Sequence, residues 1–276
     1  MARTKVLLTV VTYPIPSRSY DELVCTAGML EDGSWIRIYP VPLKFLVGLR
    51  KDGKTKSFKY TWLELDLVPR KKSYDFRPES RSPVNNDFSD IILGEKIDTK
   101  SNWLLRKKIC LQNVWTDLAA LIEDSKAPSN TSLAVFKPAK ITKFSWVETD
   151  REWKDTWQAL RKQTSLFDDI DPEISIRKVP YYFYYHYIDI NGKKSKMMIE
   201  DWEIGQLFLK CLDRANGDEN IALQKVKEKY DDDFLNNKDI HLFLGTTKQF
   251  HLKRAKNPFV IIGVFYPKKE DQMSLF

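Results

Sequence analysis

Residues 34–42 read Ser-Trp-Ile-Arg-Ile-Tyr-Pro-Val-Pro (SWIRIYPVP), and within them Trp35, Arg37 and Tyr39 alternate with Ile36 and Ile38. A period of two puts successive side chains on opposite faces of a strand. One face is therefore aliphatic, and the other carries two aromatic rings and a guanidinium. Working outward, KVLLTVVTY (5–13) and ELVCTAGML (22–30) are strand-like runs, and Glu31-Asp32-Gly33 is a turn. Further on, KYTWLELDLV (59–68) sets Tyr60, Trp62, Glu64 and Asp66 against Thr61, Leu63, Leu65 and Leu67. Short alternating strands joined by turns predict a small β-barrel or half-open sheet over residues 1–85.

The remainder alternates helical and strand patterns. Residues 103–124 have helical spacing, with Leu104, Ile109, Leu111, Trp115, Leu118 and Ile122 near one stripe. Residues 132–149 predict two strands broken at Pro138, and 150–163 an amphipathic helix capped by Asp150. Tyr-Tyr-Phe-Tyr-Tyr-His-Tyr (181–187) precedes Asn191-Gly192, a strong hairpin signal. Helices are expected near 203–215 and 218–231, then buried strands in IHLFLG (240–245) and NPFVIIGVFY (257–266). The expectation is an α+β protein: a β-rich module at 1–85, an α+β domain at 100–267 and a tail at 268–276.

At 276 residues, 42% hydrophobic and 13% aromatic, the chain has the composition of one or two packed domains. It contains no apolar run of about 18 residues, so no membrane span is expected. Cys25, Cys110 and Cys211 are odd in number and far apart, which argues against a disulfide framework and for a reducing cytosol. The net charge of +7 is concentrated. Residues 44–72 hold nine basic side chains (Lys44, Arg50, Lys51, Lys54, Lys56, Lys59, Arg70, Lys71, Lys72) against three acidic ones, a local +6. Such an excess beside a nearly neutral remainder suits a polyanion-binding face or a solvated loop.

Catalytic patterns are sparse. His186, His241 and His251 form no metal-ligand spacing, and no phosphate-cradling glycine loop is present. A nuclease would need clustered carboxylates with a lysine; the one Glu-x-Lys, Glu152-Trp153-Lys154, falls in the expected helix. Asp231-Asp232-Asp233 reads as a solvated helix end. No catalytic residue, metal or cofactor is assigned. The front sheet offers more: Trp35, Arg37, Tyr39 and Tyr60 border the basic segment, and rings among cations suit an unpaired strand. The other reading buries Trp35 and Trp62 in the barrel. This layout is similar to OB-like barrels, which bind oligonucleotides on a sheet face, and VCTAGMLEDGSWIRIYPVP resembles the opening of uncharacterised bacterial proteins.

The chain closes on Gln272-Met273-Ser274-Leu275-Phe276. This pentapeptide resembles the motif by which bacterial proteins dock on the DNA sliding clamp, with Met273 in place of the usual leucine. The resemblance implies that Leu275 and Phe276 anchor in a hydrophobic cleft while Gln272 supplies a directional hydrogen bond. Gln163-Thr164-Ser165-Leu166-Phe167 carries nearly the same pattern. The resulting expectation is a cytoplasmic, nucleoid-associated accessory protein. It binds single- or double-stranded nucleic acid and is recruited to the clamp in replication, repair, mobile-element or phage-defence work. A metal-dependent nuclease or nucleotide-acting enzyme, and a non-catalytic adaptor, are the alternatives.

Overall fold

Strand β1 (Thr4–Val11) is buried on both faces: from Val6 to Val11 no residue exposes more than 1% of its surface. A strand apolar on both sides needs a layer above and a layer below. The computed structural model describes residues 3–13, 15–16, 22–42, 45–46, 58–71, 75–153 and 177–270. Within them the protein is α+β, with a curled, half-open first sheet followed by a second sheet and helices.

The first sheet adds β2 (Ile15–Pro16), β3 (Glu22–Met29), β4 (Trp35–Pro42), β5 (Thr61–Leu65), β6 (Leu67–Pro69), β7 (Ser80–Pro83) and β8 (Ile92–Lys96). Its order is β6-β7-β4-β3-β1-β5-β8, with β2 beside β3. One face encloses Val6, Leu8, Val24, Ile36, Ile38 and Leu63. The opposite face sends Leu7, Val10, Ala27 and Met29 against Leu133, Val135, Phe243 and Ile262 of the second sheet. That second sheet comprises β9 (Val114–Trp115), β10 (Leu133–Phe136), β11 (Lys140–Glu148), β12 (Tyr181–Ile188), β13 (Lys194–Ile199), β14 (His241–Thr246) and β15 (Phe259–Phe265). Its order is β11-β12-β13-β15-β14-β10-β9. Every residue of β14 and β15 is buried.

The α-helices among the described residues include α1 (Lys100–Cys110), α2 (Leu118–Asp124), α3 (Trp202–Arg214), α4 (Glu219–Lys227), α5 (Phe234–Asn237) and α6 (Lys248–Leu252); a π-helical turn, Glu228–Asp233, joins α4 to α5. Leu121, Ile204, Phe208, Val226 and Tyr230 close the far side of the second sheet over Phe144, Tyr185 and Ile261. Among the described residues, no helix is long and apolar enough to cross a membrane.

Most expected elements are found at their expected places, including the Asn191-Gly192 hairpin, where Gly192 has φ 78° and Ile188 pairs with Lys194. Residues 103–124 differ. Instead of one helix they form α1, the short strand β9 and α2. Val114 and Trp115 pair in parallel with Val135 and Phe136, and Asp117 starts α2 by accepting from the amides of Ala119 and Ala120. Ladder pairing and a fresh cap override the helical stripe, and Leu104 of that stripe is 47% exposed. The polar 70–100 stretch contributes two strands, β7 and β8. The helix expected at 150–163 lies mostly outside the described residues.

Polar links stitch the seam between sheets. Arg37 Nη2 donates to the carbonyl and hydroxyl of Ser132, 3.2 Å each, and Ser132 in turn donates to Glu79 through its amide and hydroxyl. Lys59 Nζ lies 3.3 Å from Asp201 and 3.2 Å from Glu203, with its side chain 5% exposed. Burial alone would lower the Lys59 amine, but Asp201 and Glu203 override it and hold the amine charged, above its ordinary range. Removing one member of a buried ion pair strands its partner. Lys59→Met is therefore expected to lower unfolding free energy by about 3–5 kcal/mol in urea titrations, and adding Asp201→Asn to recover part of the loss. A loss under about 1 kcal/mol would contradict the assignment.

Candidate nucleic-acid interface

The residues expected to form a stacking face separate in the fold. Arg37 is 4% exposed and faces the seam, where burial, with Arg77 beside it, lowers its guanidinium to about 10. Trp35 meets Phe243 edge-on at 5.4 Å within the same seam. Tyr60 is 6% exposed, with the Arg106 guanidinium 3.8 Å from its ring centre. Lys59 is held by Asp201 and Glu203. The face carrying rings and cations is thus the one laid on the second sheet, because Leu7, Val10 and Met29 on neighbouring strands need covering there. Four residues expected on a solvent face, Trp35, Arg37, Lys59 and Tyr60, belong to the interior or its margin. Lys44, Arg50, Lys51, Lys54, Lys56 and Lys72 lie outside the described residues, as do 163–167 and the tail Gln272, Met273, Ser274, Leu275 and Phe276.

Tyr39, Arg70 and Lys71 remain near the surface and lie at one edge of the first sheet. Arg70 Nη1 donates to the Tyr39 carbonyl at 2.7 Å, and its guanidinium sits 4.9 Å from the Tyr39 ring centre. Ser82 donates to the same carbonyl. Next along the chain, residues 75–81 form a braced turn. Arg77 grips Asp75 through Nε and Nη2 at 2.8 and 2.7 Å, and its Nη1 donates to the Thr246 carbonyl. Burial alone would raise the Asp75 carboxyl, but Arg77 and the Ser80 hydroxyl hold it down to about 2. Arg81 donates only to the carbonyls of Pro78 and Ser80.

Thr246 leads into α6, so this turn and that helix are neighbours. Thr247 caps α6 by accepting from the Phe250 amide. His251 turns inward: Nε2 is 2.6 Å from the Ser125 carbonyl, Nδ1 is 3.2 Å from Thr246 Oγ1, and Phe76 meets its ring edge-on at 4.6 Å. With His251 pinned, Phe250 and Leu252 point outward, 40% and 61% exposed. Lys253, Arg254 and Lys256 follow, all exposed and in no ion pair with a described residue. Between α6, Phe76 and the end of α2 runs a groove of about 730 Å³, lined by Phe76, Ile122, Lys126, His251, Arg254 and neighbouring residues, with no carboxylate in its wall. The sequence signal was visible: residues 247–258 hold four basic side chains, one phenylalanine and no acid.

Other chemistry finds little support among the described residues. No group of three or more His, Cys, Asp or Glu is placed to hold a metal ion. Burial pushes the Cys25 thiol up and the Cys110 thiol to about 12, so neither is poised as a thiolate. Asp231 and Asp232 pair with Lys227, and Asp233 with Lys238.

Fold and site together define a two-sheet α+β protein with a largely apolar groove, bordered by exposed cations, between α6, Phe76 and the end of α2. The chain belongs to the family described as Domain of unknown function (DUF8757), which matches residues 115–276; residues 2–112 match a second family, Domain of unknown function (DUF8758). The two matches meet between the end of α1 at Cys110 and the start of β9 at Val114, where one sheet gives way to the other. No curated protein matches the chain. Among solved structures, that of a murine DNA-binding protein bound with double-stranded DNA aligns over 98% of this chain and 96% of its own, at 8% identity and a TM-score of 0.30. A likeness at that level carries no argument.

The Asp75 brace yields a pH signature. A carboxyl held at about 2 in the fold, against 3.8 unfolded, adds stability that is complete above about pH 5 and lost as pH falls toward 2. Asp75→Asn should thus cost about 2 kcal/mol at pH 7 and almost nothing at pH 2, measured by denaturant titration. Equal cost at both values would contradict it.

Proposed function

We propose that the protein binds nucleic acid along the seam groove, with phosphates on Arg70, Lys71, Arg81, Lys253, Arg254 and Lys256 and bases against the exposed apolar surface of Phe250 and Leu252. The observation that carries this reading is Arg254 in the wall of the groove, with Lys253 and Lys256 beside it in the chain and none of the three in an ion pair with a described residue; Lys126, also in the wall, is paired with Glu123. Cations follow the backbone and release counterions, while rings take base faces whatever the sequence. Asp75, between Lys71 and Arg81 in the chain, is already paired with Arg77. Exposed Phe250 and Leu252 suit the open faces of unpaired bases.

The tail Gln272-Met273-Ser274-Leu275-Phe276 supports a second element, recruitment to a bacterial DNA sliding clamp. Its resemblance to the clamp-docking pentapeptide is the whole of that support. Together the two elements describe an accessory protein of DNA replication, repair, mobile-element or phage-defence work that holds a strand while tethered to the clamp.

Two outcomes are expected. Arg81→Glu with Arg254→Glu should weaken binding to a single-stranded oligonucleotide of about 20 residues at least tenfold, and flatten the log-affinity against log-salt slope by roughly one per lost contact. Unchanged affinity and slope would contradict the groove. Leu275→Ala with Phe276→Ala should abolish capture by purified clamp and leave oligonucleotide affinity intact; retained capture would contradict the docking role.

A further inference from the structure

A second cavity, of about 320 Å³, shares no lining residue with the groove. It lies where the end of β13 runs into α3, between β12 and Tyr13 of the first sheet. Its walls are mainly aromatic, with Tyr13, Trp153, Tyr181, Tyr182 and Phe183 all contributing. Tyr13 is fixed there: its hydroxyl donates to the Arg177 carbonyl at 2.6 Å, and its ring stacks on Trp202 at 5.5 Å. The ring also rests on Gly205, where any Cβ would collide with it, so this wall requires glycine in α3. Tyr182 is 47% exposed, which opens the cavity to solvent.

Two polar groups in this cavity are not used by the fold. Lys178 Nζ is shut off from solvent and has no hydrogen-bond partner; it lies over the Trp153 ring, 5.9 Å from its centre. The Glu200 carboxyl makes no hydrogen bond with a described residue, and burial alone pushes it up to about 7, with no cation to offset it. Asp201, also in the lining, differs: it is engaged by Lys59 and by the Glu203 amide. A buried amine nitrogen without an acceptor is costly, and a bound group that accepts from it would remove that cost. A lining that holds one amine and two carboxylates suits neither phosphate nor metal. Aromatic walls with one strong donor and one carboxyl suit a flat ring that carries a carbonyl and an N–H.

We propose that this cavity binds a nucleobase, its ring on the aromatic wall, its carbonyl accepting from Lys178 and its N–H or amino group meeting the Glu200 carboxyl. The ligand is either a free base or nucleoside, or a base turned out of a strand. The inference stands apart from the groove, since the two share no residue.

Isothermal titration of the full chain with the common nucleosides, and with an oligonucleotide carrying one unpaired 2-aminopurine, separates the sources. Saturable nucleoside binding is expected, weakened about tenfold or more by Lys178→Met and by Glu200→Gln and unaffected by Arg254→Glu. Lys178→Met removes a buried amine that has no hydrogen-bond partner and Glu200→Gln keeps the side chain's size, so the variants should fold, which thermal melting checks. A 2-aminopurine signal lost in Glu200→Gln assigns the base to a strand; nucleoside binding without that signal assigns it to the free pool. The proposal is overturned if nothing binds up to about 5 mM, or if binding survives both substitutions in folded protein. Loss of oligonucleotide binding in the Arg81 and Arg254 variant, with nucleoside binding kept, concerns the groove alone.

Discussion

Everything in this fold depends on the first strand having no solvent face. Val6, Leu8 and Val11 face the hollow of a curled sheet, while Leu7 and Val10 face Phe243 and Ile262 across the seam. Each buried aliphatic side chain contributes about 1.5–3 kcal/mol relative to exposure, so neither side can be left to water. Two consequences follow directly. The first sheet is covered on both faces, and the second must be apolar throughout its central strands, as β14 and β15 are. Charged groups caught between the sheets then need internal partners, and Arg37 with Ser132 and Lys59 with Asp201 and Glu203 supply them.

That constraint also decides where a ligand can be met. With the sheet faces used for packing, recognition moves to edges and to the segments that leave them. The edge formed by β6 and β7, the turn braced by Asp75 and Arg77, and α6 pinned by His251 meet at one such place. Short, well-anchored segments there present Phe250, Leu252, Lys253 and Arg254 outward while their own backbone is capped and held. The aromatic cavity beside Glu200 arises in the same manner, at the end of β13 rather than on its face.

The strands, the hairpin at Asn191-Gly192 and the buried character of β14 and β15 were legible because periodicity and turn chemistry are local. Which face of a strand meets water is not local. SWIRIYPVP correctly announced two unlike faces, but the alternation of Trp35, Arg37 and Tyr39 carries no information about the sheet that covers them. An arginine in a strand reads as exposed until a partner such as Ser132, distant in sequence, is placed beside it. Residues 103–124 read as one helix because a stripe of apolar residues cannot report that Val114 and Trp115 pair with β10. The cluster at 248–256 was visible as charge, and only the fold showed it opening onto an apolar groove. Lys178 and Glu200 left no sequence signal at all, since what marks them is the absence of partners once buried.

The central claim is that the seam groove is the nucleic-acid surface, and it can be read at single lysines. Acetylation of surface lysines, quantified by mass spectrometry with and without a saturating single-stranded oligonucleotide, reports each site directly. Protection of Lys71, Lys253 and Lys256, with Lys5 and Lys225 equally reactive in both states and Lys59 unreactive in both, is the pattern this account requires. Protection confined to lysines away from the groove, or none in a demonstrated complex, would contradict it.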